Sequence, residues 1–205
     1  METAPTTPRR TQDRAAETFP EVMGTFHEGE FNNEPDTDWS LKANHRWAEA
    51  VREKWKKSPG APPMEVPLVV GGEEVYENRE LQESWDKSRH AEHVLVARFA
   101  LGNEEDVERA VATAKADPDK WRDCTARERH EVLSRVAAEI RKARGDLVGA
   151  AAAVGAKVFS ESDAEVSEAV DFAEYYPFSV KEFAERENLK SRGKGMGVVI
   201  SPWNF

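Results

Sequence analysis

The residues best suited to chemistry stand at the end of the chain, in Gly195-Met196-Gly197-Val198-Val199-Ile200-Ser201-Pro202-Trp203-Asn204-Phe205. Val198 to Ile200 is a β-branched run of the kind that fills a strand buried on both faces of a parallel sheet, and Pro202, lacking an N–H, ends the ladder just beyond it. Ligands of open α/β sheets bind outside the carboxyl ends of strands, so the backbone of Ile200, Ser201, Pro202 and Trp203 is expected to line a cofactor crevice. The Asn204 amide would then point into that crevice, where a neutral N–H₂ donates to a developing oxyanion without having to titrate.

Other residue types that do chemistry are sparse. Cys124 is the single cysteine, so no internal disulfide forms, in keeping with a reducing cytoplasm. It stands between Asp123 and Thr125, beside carboxylates that disfavour a thiolate, and no His or Asn is placed in sequence to activate it. His90-x-x-His93 has metal-like spacing but no third ligand nearby, which fits a solvated pair. Gly193-Lys194-Gly195-Met196-Gly197 looks like a dinucleotide loop, yet that fingerprint follows a strand and opens a helix, whereas these glycines precede the strand and read as an entry turn.

The scaffold for that terminus is acidic and largely helical. The 205 residues carry a net charge of −10, with 33% charged residues, which disfavours a nucleic-acid surface. No apolar run approaches the ~20 residues of a membrane span, and no signal-peptide core is visible. Residues 1–38, rich in Pro, Thr, Asn, Asp and Glu, read as a flexible tail and linker, and residues 39–205 as the start of a domain. Thr37-Asp38 are cap candidates for a helix over about 40–57, with Leu41, Trp47, Val51 and Trp55 as its apolar stripe. Two extended pieces around Gly71-Gly72 read as a hairpin, and Val94–Phe99 as a third strand of a small antiparallel sheet.

The middle of the chain follows helical periods. Asn103 caps a helix whose apolar face is Val107, Ala110, Val111 and Ala114. The capping box Thr125-x-x-Glu128 opens a helix to about Arg144 that buries Val132, Leu133, Val136 and Ile140, with Arg127 and Arg129 in surface ion pairs. An alanine-rich helix covers about 146–156. Ser160-x-x-Asp163 opens a long helix to about 187, with Val166, Ala169, Val170, Phe172, Ala173 and Tyr176 inward and Pro177 within it. Glu168 has apolar i±4 neighbours, Ala164 and Phe172, so it is expected to face inward, where a carboxylate needs a partner. A buried-type strand followed directly by Asn204-Phe205 lacks the helix and second strand of a parallel unit, so the domain reads as incomplete.

Three stretches carry a family resemblance. Ile200-Ser201-Pro202-Trp203-Asn204-Phe205 resembles the signature of the aldehyde dehydrogenase superfamily. The string Ser162-Asp163-Ala164-Glu165-Val166-Ser167-Glu168-Ala169-Val170-Asp171-Phe172 is similar to a helix of the L-glutamate γ-semialdehyde (pyrroline-5-carboxylate) dehydrogenases. Phe31-Asn32-Asn33-Glu34-Pro35-Asp36-Thr37-Asp38-Trp39 resembles the connector into the second enzyme of bifunctional proline-utilisation proteins.

The resemblance implies an α/β fold: the N-terminal region of an aldehyde dehydrogenase, helix-rich, with a small antiparallel β element and the first strand of a Rossmann-like sheet. It implies NAD-dependent oxidation of L-glutamate γ-semialdehyde to L-glutamate in proline catabolism, in a cytoplasmic homo-oligomer that includes the remainder of the domain and has a fused or associated proline dehydrogenase. In it Asn204 helps stabilise the oxyanion, the backbone of Ile200, Ser201, Pro202 and Trp203 contacts NAD, and Glu168 and Phe205 contact the substrate. The family's nucleophilic cysteine and general-base glutamate lie beyond the Asn204 position, so this chain is expected to be inactive. The family's glycine before the lysine at Lys157 is replaced by Ala156, which puts the local turn in question. Two other readings remain: an aldehyde dehydrogenase of different substrate choice, and a non-catalytic helical interaction module.

Overall fold

Two long helices, α3 (Ala126–Gly155) and α4 (Phe159–Ala184), form an antiparallel hairpin at the centre of the molecule. The structure, a computed structural model, describes residues 10–19, 31–184 and 186–201. Before the hairpin come helix α1 (Lys42–Trp55), strands β1 (Met64–Val66), β2 (Leu68–Val70), β3 (Glu73–Val75), β4 (Leu81–Trp85) and β5 (Leu95–Ala100), and helix α2 (Glu104–Ala116).

α3 starts where its capping box predicts. The Thr125 hydroxyl accepts from the Glu128 N–H at 3.2 Å and the Glu128 carboxylate accepts from the Thr125 N–H at 2.7 Å, satisfying two end-of-helix donors. It does not stop near Arg144, however, but runs unbroken for 30 residues. The reason lies in Gly145 and Gly149, one turn apart, which together leave a groove for α1. A Cβ on Gly149 would stand 2.1 Å from Trp55 Cδ1, and one on Gly145 would stand 3.0 Å from Val51 Cγ2. Glycine inside a helix costs roughly 0.5–1 kcal/mol in backbone entropy, and here the close approach of Val51 and Trp55 offsets it.

The buried faces of the hairpin differ from the expected apolar stripes. On α3 the buried positions include Ser134, Ala137, Ala138, Arg141, Arg144 and Val148, while Val132, Leu133 and Ile140 are half-buried and Val136 is 43% exposed. On α4 Val166 and Val170 are buried as expected, but Phe172 and Tyr176 are 50% and 58% exposed, and Ser162, Asp163, Ser167 and Pro177 occupy the inner arc. Small side chains let the two axes come close, and a buried Arg144–Asp163 ion pair at 2.8 Å turns α4 so that Asp163 faces α3.

The strands form two sheets rather than one. β5 is central, pairing with β4 antiparallel and with β1 parallel, the latter in the register Met64↔Ala97. β2 and β3 make a separate hairpin in which Gly71 and Gly72 have φ of +63° and +84°, the left-handed pair that a two-residue turn of type I′ requires. Val94 and Val96 are buried with Ala100. α2 is capped as expected, by reciprocal Asn103–Asp106 bonds of 3.0 Å, but its apolar face is largely open, with Val107 58% exposed. Thr37 and Asp38 do not cap α1, whose N-cap is Leu41. Asp38 Oδ1 accepts from Ser40 N and Oγ, and Thr37 is drawn into the buried network described below.

Two outcomes follow. Ala156 ends α3 in the left-handed conformation, with φ +57°, where a β-carbon is strained and glycine is not. Ala156→Gly is therefore expected to raise unfolding stability by about 1 kcal/mol, read as a higher urea midpoint at unchanged m-value. Asp106 takes two bonds from the Arg79 guanidinium, 2.6 and 2.7 Å, besides the Asn103 N–H. The Arg79 bonds first, and the backbone bond second, hold its carboxyl down at about 2. Because the folded value lies below the unfolded one near 3.9, this stabilisation is present above pH ~4 and is lost as pH falls through about 2. NMR titration of the Asp106 carboxyl checks it, with Arg79→Ala moving the midpoint back toward the ordinary range.

Candidate active site

The α4 turn that carries Glu168 is open to solvent, not buried. Glu168 is exposed, as are Ala164 and Phe172 on either side of it along the helix, which corrects the expectation of an inward carboxylate. The apolar i±4 neighbours belong to an uncovered arc that continues through Tyr175, Tyr176 and Phe183. Glu168 borders a cleft of about 370 Å³ whose other lining residues include Asn33, Glu34, Asp36, Ser167 and Asp171.

One wall of the cleft is the polar stretch around Asn33–Asp36, and the bonds that hold it there are short. Asp171 accepts from Asn33 Nδ2 at 2.7 Å and from the Glu34 N–H at 2.6 Å, and the Phe31 ring meets Tyr175 edge-on with centroids 5.1 Å apart. The Glu34 carboxylate reaches inward and bridges two buried arginines of α3, Arg141 Nε at 2.8 Å and Arg144 Nη2 at 2.9 Å. Arg144 Nη1 also donates to Asp163 Oδ1 at 2.8 Å, and Arg141 Nη1 to Glu174 Oε1 at 3.1 Å. Asp163 in turn accepts from Thr37 N and Oγ1 at 2.6 and 2.7 Å.

Arg14, also buried, completes this layer. It donates to Thr37 Oγ1 at 2.9 Å, to the Pro35 carbonyl at 2.6 Å and to Glu17 at 2.9 Å. Removing one partner from such a buried pair costs about 3–5 kcal/mol because the other charge is left unpaired. Arg144 Nε is buried with no partner among the described residues. Composition gave no sign of this network. The signal that could have found it is Arg141-x-x-Arg144 on the same helix face as Ala137, Ala138 and Val148, since two arginines on a buried face require carboxylates.

The terminal stretch is placed differently from expectation. Val198, Val199 and Ile200 are 78, 90 and 89% exposed and form no strand, because no neighbouring strand among the described residues offers them a ladder. Ile200 and Ser201 are thus exposed, with no hydrogen bond from either N–H among the described residues. The sites expected at Pro202, Trp203, Asn204 and Phe205 lie outside the described residues. Upstream, Lys194 and Met196 line a cleft with Lys115, Asp117, Trp121 and Arg129. Arg129 makes no ion pair there; it lies over the Trp121 ring, 5.4 Å from its centroid, and donates to the Trp121 and Arg122 carbonyls. Arg127 does pair, with Glu131 at 3.1 Å.

The other candidates stay outside any site. Cys124 is half-buried, its thiol 3.6 Å from the Lys120 carbonyl. The His90 and His93 rings lie 5.8 Å apart, and among the described residues no group of three or more His, Cys, Asp or Glu could hold a metal. No helix among the described residues is long and apolar enough to cross a membrane.

Comparison with known proteins bears on the same stretches. The model of the aldehyde dehydrogenase family matches residues 76–205. The 1-pyrroline-5-carboxylate dehydrogenase of Geobacillus thermodenitrificans is 32% identical over 185 residues, and the protein of Halalkalibacterium halodurans named 1-pyrroline-5-carboxylate dehydrogenase 1 is 30% identical; each match takes in 85% of this chain and 35% of the relative. The chain thus spans about a third of the length of these relatives. Among solved structures, the 1-pyrroline-5-carboxylate dehydrogenase from Thermus with bound NAD superposes with a TM-score of 0.69 at 24% identity, over 86% of this chain and 31% of that one. Proline utilization A from Bdellovibrio bacteriovorus gives 0.69 at 21%, over 76% of this chain and 16% of that one. The fold is therefore α/β, the helix-rich N-terminal region of an aldehyde dehydrogenase domain, and the chain belongs to the aldehyde dehydrogenase family.

Proposed function

We propose that this chain is the amino-terminal part of an NAD-dependent dehydrogenase that oxidises L-glutamate γ-semialdehyde to L-glutamate. The observation that carries the reading is the match, over 185 residues, to proteins named 1-pyrroline-5-carboxylate dehydrogenase, together with the family match that extends through Phe205. The open cleft beside Glu168 is consistent with it.

Each residue then has a limited task. The Asn204 amide donates to the aldehyde oxygen as it gains negative charge, worth about 3 kcal/mol for a donor of this kind. The backbone of Ile200, Ser201, Pro202 and Trp203 holds the dinucleotide, and NAD when bound accepts the hydride. Glu168 and Phe205 contact the substrate, the first through its carboxylate and the second by packing on the aliphatic portion. The attacking thiol and the general base come from the part of the domain represented in the relatives beyond this span. That part also covers the exposed aromatic arc of α4, where Phe172, Tyr175, Tyr176 and Phe183 are each about half exposed and such clustered apolar exposure marks an interaction surface. The likeness to proline utilization A supports a fused or associated proline dehydrogenase as partner. A single cysteine supports a reducing, cytoplasmic setting.

Two measurements test the proposal. The purified 205-residue chain is expected to give no NADH from glutamate γ-semialdehyde, because Cys124 has neither the setting nor the partners of a nucleophile; turnover free of contaminants would overturn the division of labour. In the completed domain, Asn204→Ala is expected to lower kcat by about 10²–10³-fold with a smaller change in KM. An unchanged kcat would remove Asn204 from the mechanism.

A further inference from the structure

We propose that the segment Phe31–Thr37 is a strap whose contacts with Asp171 position Glu168 and thereby set the preference for an amino-acid semialdehyde over a simple aldehyde. Asp171 is one turn along α4 from Glu168, and it is the residue through which the strap grips that turn: the Asn33 amide and the Glu34 N–H both end on its carboxylate, at 2.7 and 2.6 Å. Asn33, Glu34 and Asp36 line the same cleft as Glu168.

The strap is itself fastened at further points, among them the Arg14 bonds to Pro35 and Thr37. The Glu34 carboxylate bridges Arg141 and Arg144, Thr37 donates twice to Asp163, and Phe31 meets Tyr175. Asp163 and Asp171 lie five and three residues from Glu168, so the strap grips α4 on both sides of it. A long side chain on an exposed helical arc ordinarily samples several rotamers. Between a fixed wall and a fixed turn it has fewer, and a carboxylate held in place discriminates substrates by geometry, where a displacement of about 1 Å can cost up to 10²-fold. Asp171, Asn33 and Glu34 are positioning residues in this account, and the proposal rests on the assignment of Glu168 to the substrate site.

The test has two arms. In the 205-residue chain carrying Cys124→Ser, a nitroxide is attached at Glu168→Cys, with a second sample labelled at Glu139→Cys on the exposed face of α3. Asp171→Ala is expected to narrow the spectrum at position 168, with a roughly twofold shorter correlation time, and to leave position 139 as it was. Asp171→Asn, which still accepts through its amide oxygen, is expected to fall between. No narrowing at 168, or equal narrowing at both positions, overturns the proposal. In the completed domain, Asn33→Ala and Asp171→Ala are expected to lower the ratio of kcat/KM for glutamate γ-semialdehyde to that for propanal by about tenfold. A merely structural loss of active protein lowers both values together and leaves the ratio unchanged, which also overturns it. If the unsubstituted domain fails to prefer glutamate γ-semialdehyde, the functional assignment falls, while the spectra still decide whether the strap orders position 168.

Discussion

The carboxylate of Glu34, held between Arg141 and Arg144, is the interaction on which the arrangement depends. Two guanidinium groups on the inner face of a helix would be a heavy burden unless anions met them. Glu34, Asp163 and Glu174 do so from two different directions, one from the strap and two from α4. The same charges therefore fix the strap, the rotation of α4 and the spacing of the hairpin at once. An apolar interface of equal area would have left the rotation of α4 less defined, because hydrophobic contact is not directional.

That rotation explains why local signals were read well and faces were not. Caps and turns depend on residues within four positions of one another, so Asn103, Thr125-x-x-Glu128 and Gly71-Gly72 were legible as they stood. Thr37-Asp38 and Ser160-x-x-Asp163, by contrast, were not caps, because Thr37 and Asp163 bond each other and α4 already begins at Phe159. The inner arc of α4 was not legible, because it is selected by Arg144, nineteen residues earlier, and the apolar pattern of Phe172 and Tyr176 points to a surface that nothing among the described residues covers. The division of α3 near Arg144 failed for a related reason: the indole of Trp55 and the methyl of Val51 lie where side chains at 149 and 145 would be, so two glycines fit α1 against one continuous helix. The strap was the hardest to see. Phe31–Trp39 has no periodicity, and its order comes from distant partners, Arg14 on one side and α3 and α4, more than a hundred residues away, on the other.

Of the candidate site, identity was legible and geometry was not. The hexapeptide ending at Phe205 and the helix around Glu168 pointed to the family that the comparisons then showed. The sequence could not say that Glu168 opens onto solvent, nor that the cleft it borders is also lined by residues taken for a linker. Ala156 illustrates a different kind of information. Where a glycine is expected, the chain keeps the left-handed turn with an alanine and accepts the strain, so the geometry of the α3–α4 connection is held by packing rather than by the residue best suited to it.

The exposed run Val198-Val199-Ile200 has a consequence for assembly. An exposed run of β-branched side chains with unpaired backbone is adhesive, and it pairs as readily with the same stretch of a second molecule as with another segment. During synthesis the hairpin and strap can close first, since their partners all precede residue 185, while this tripeptide is still waiting for a neighbour. Burial of this tripeptide by a partner surface therefore competes with self-association at high local concentration.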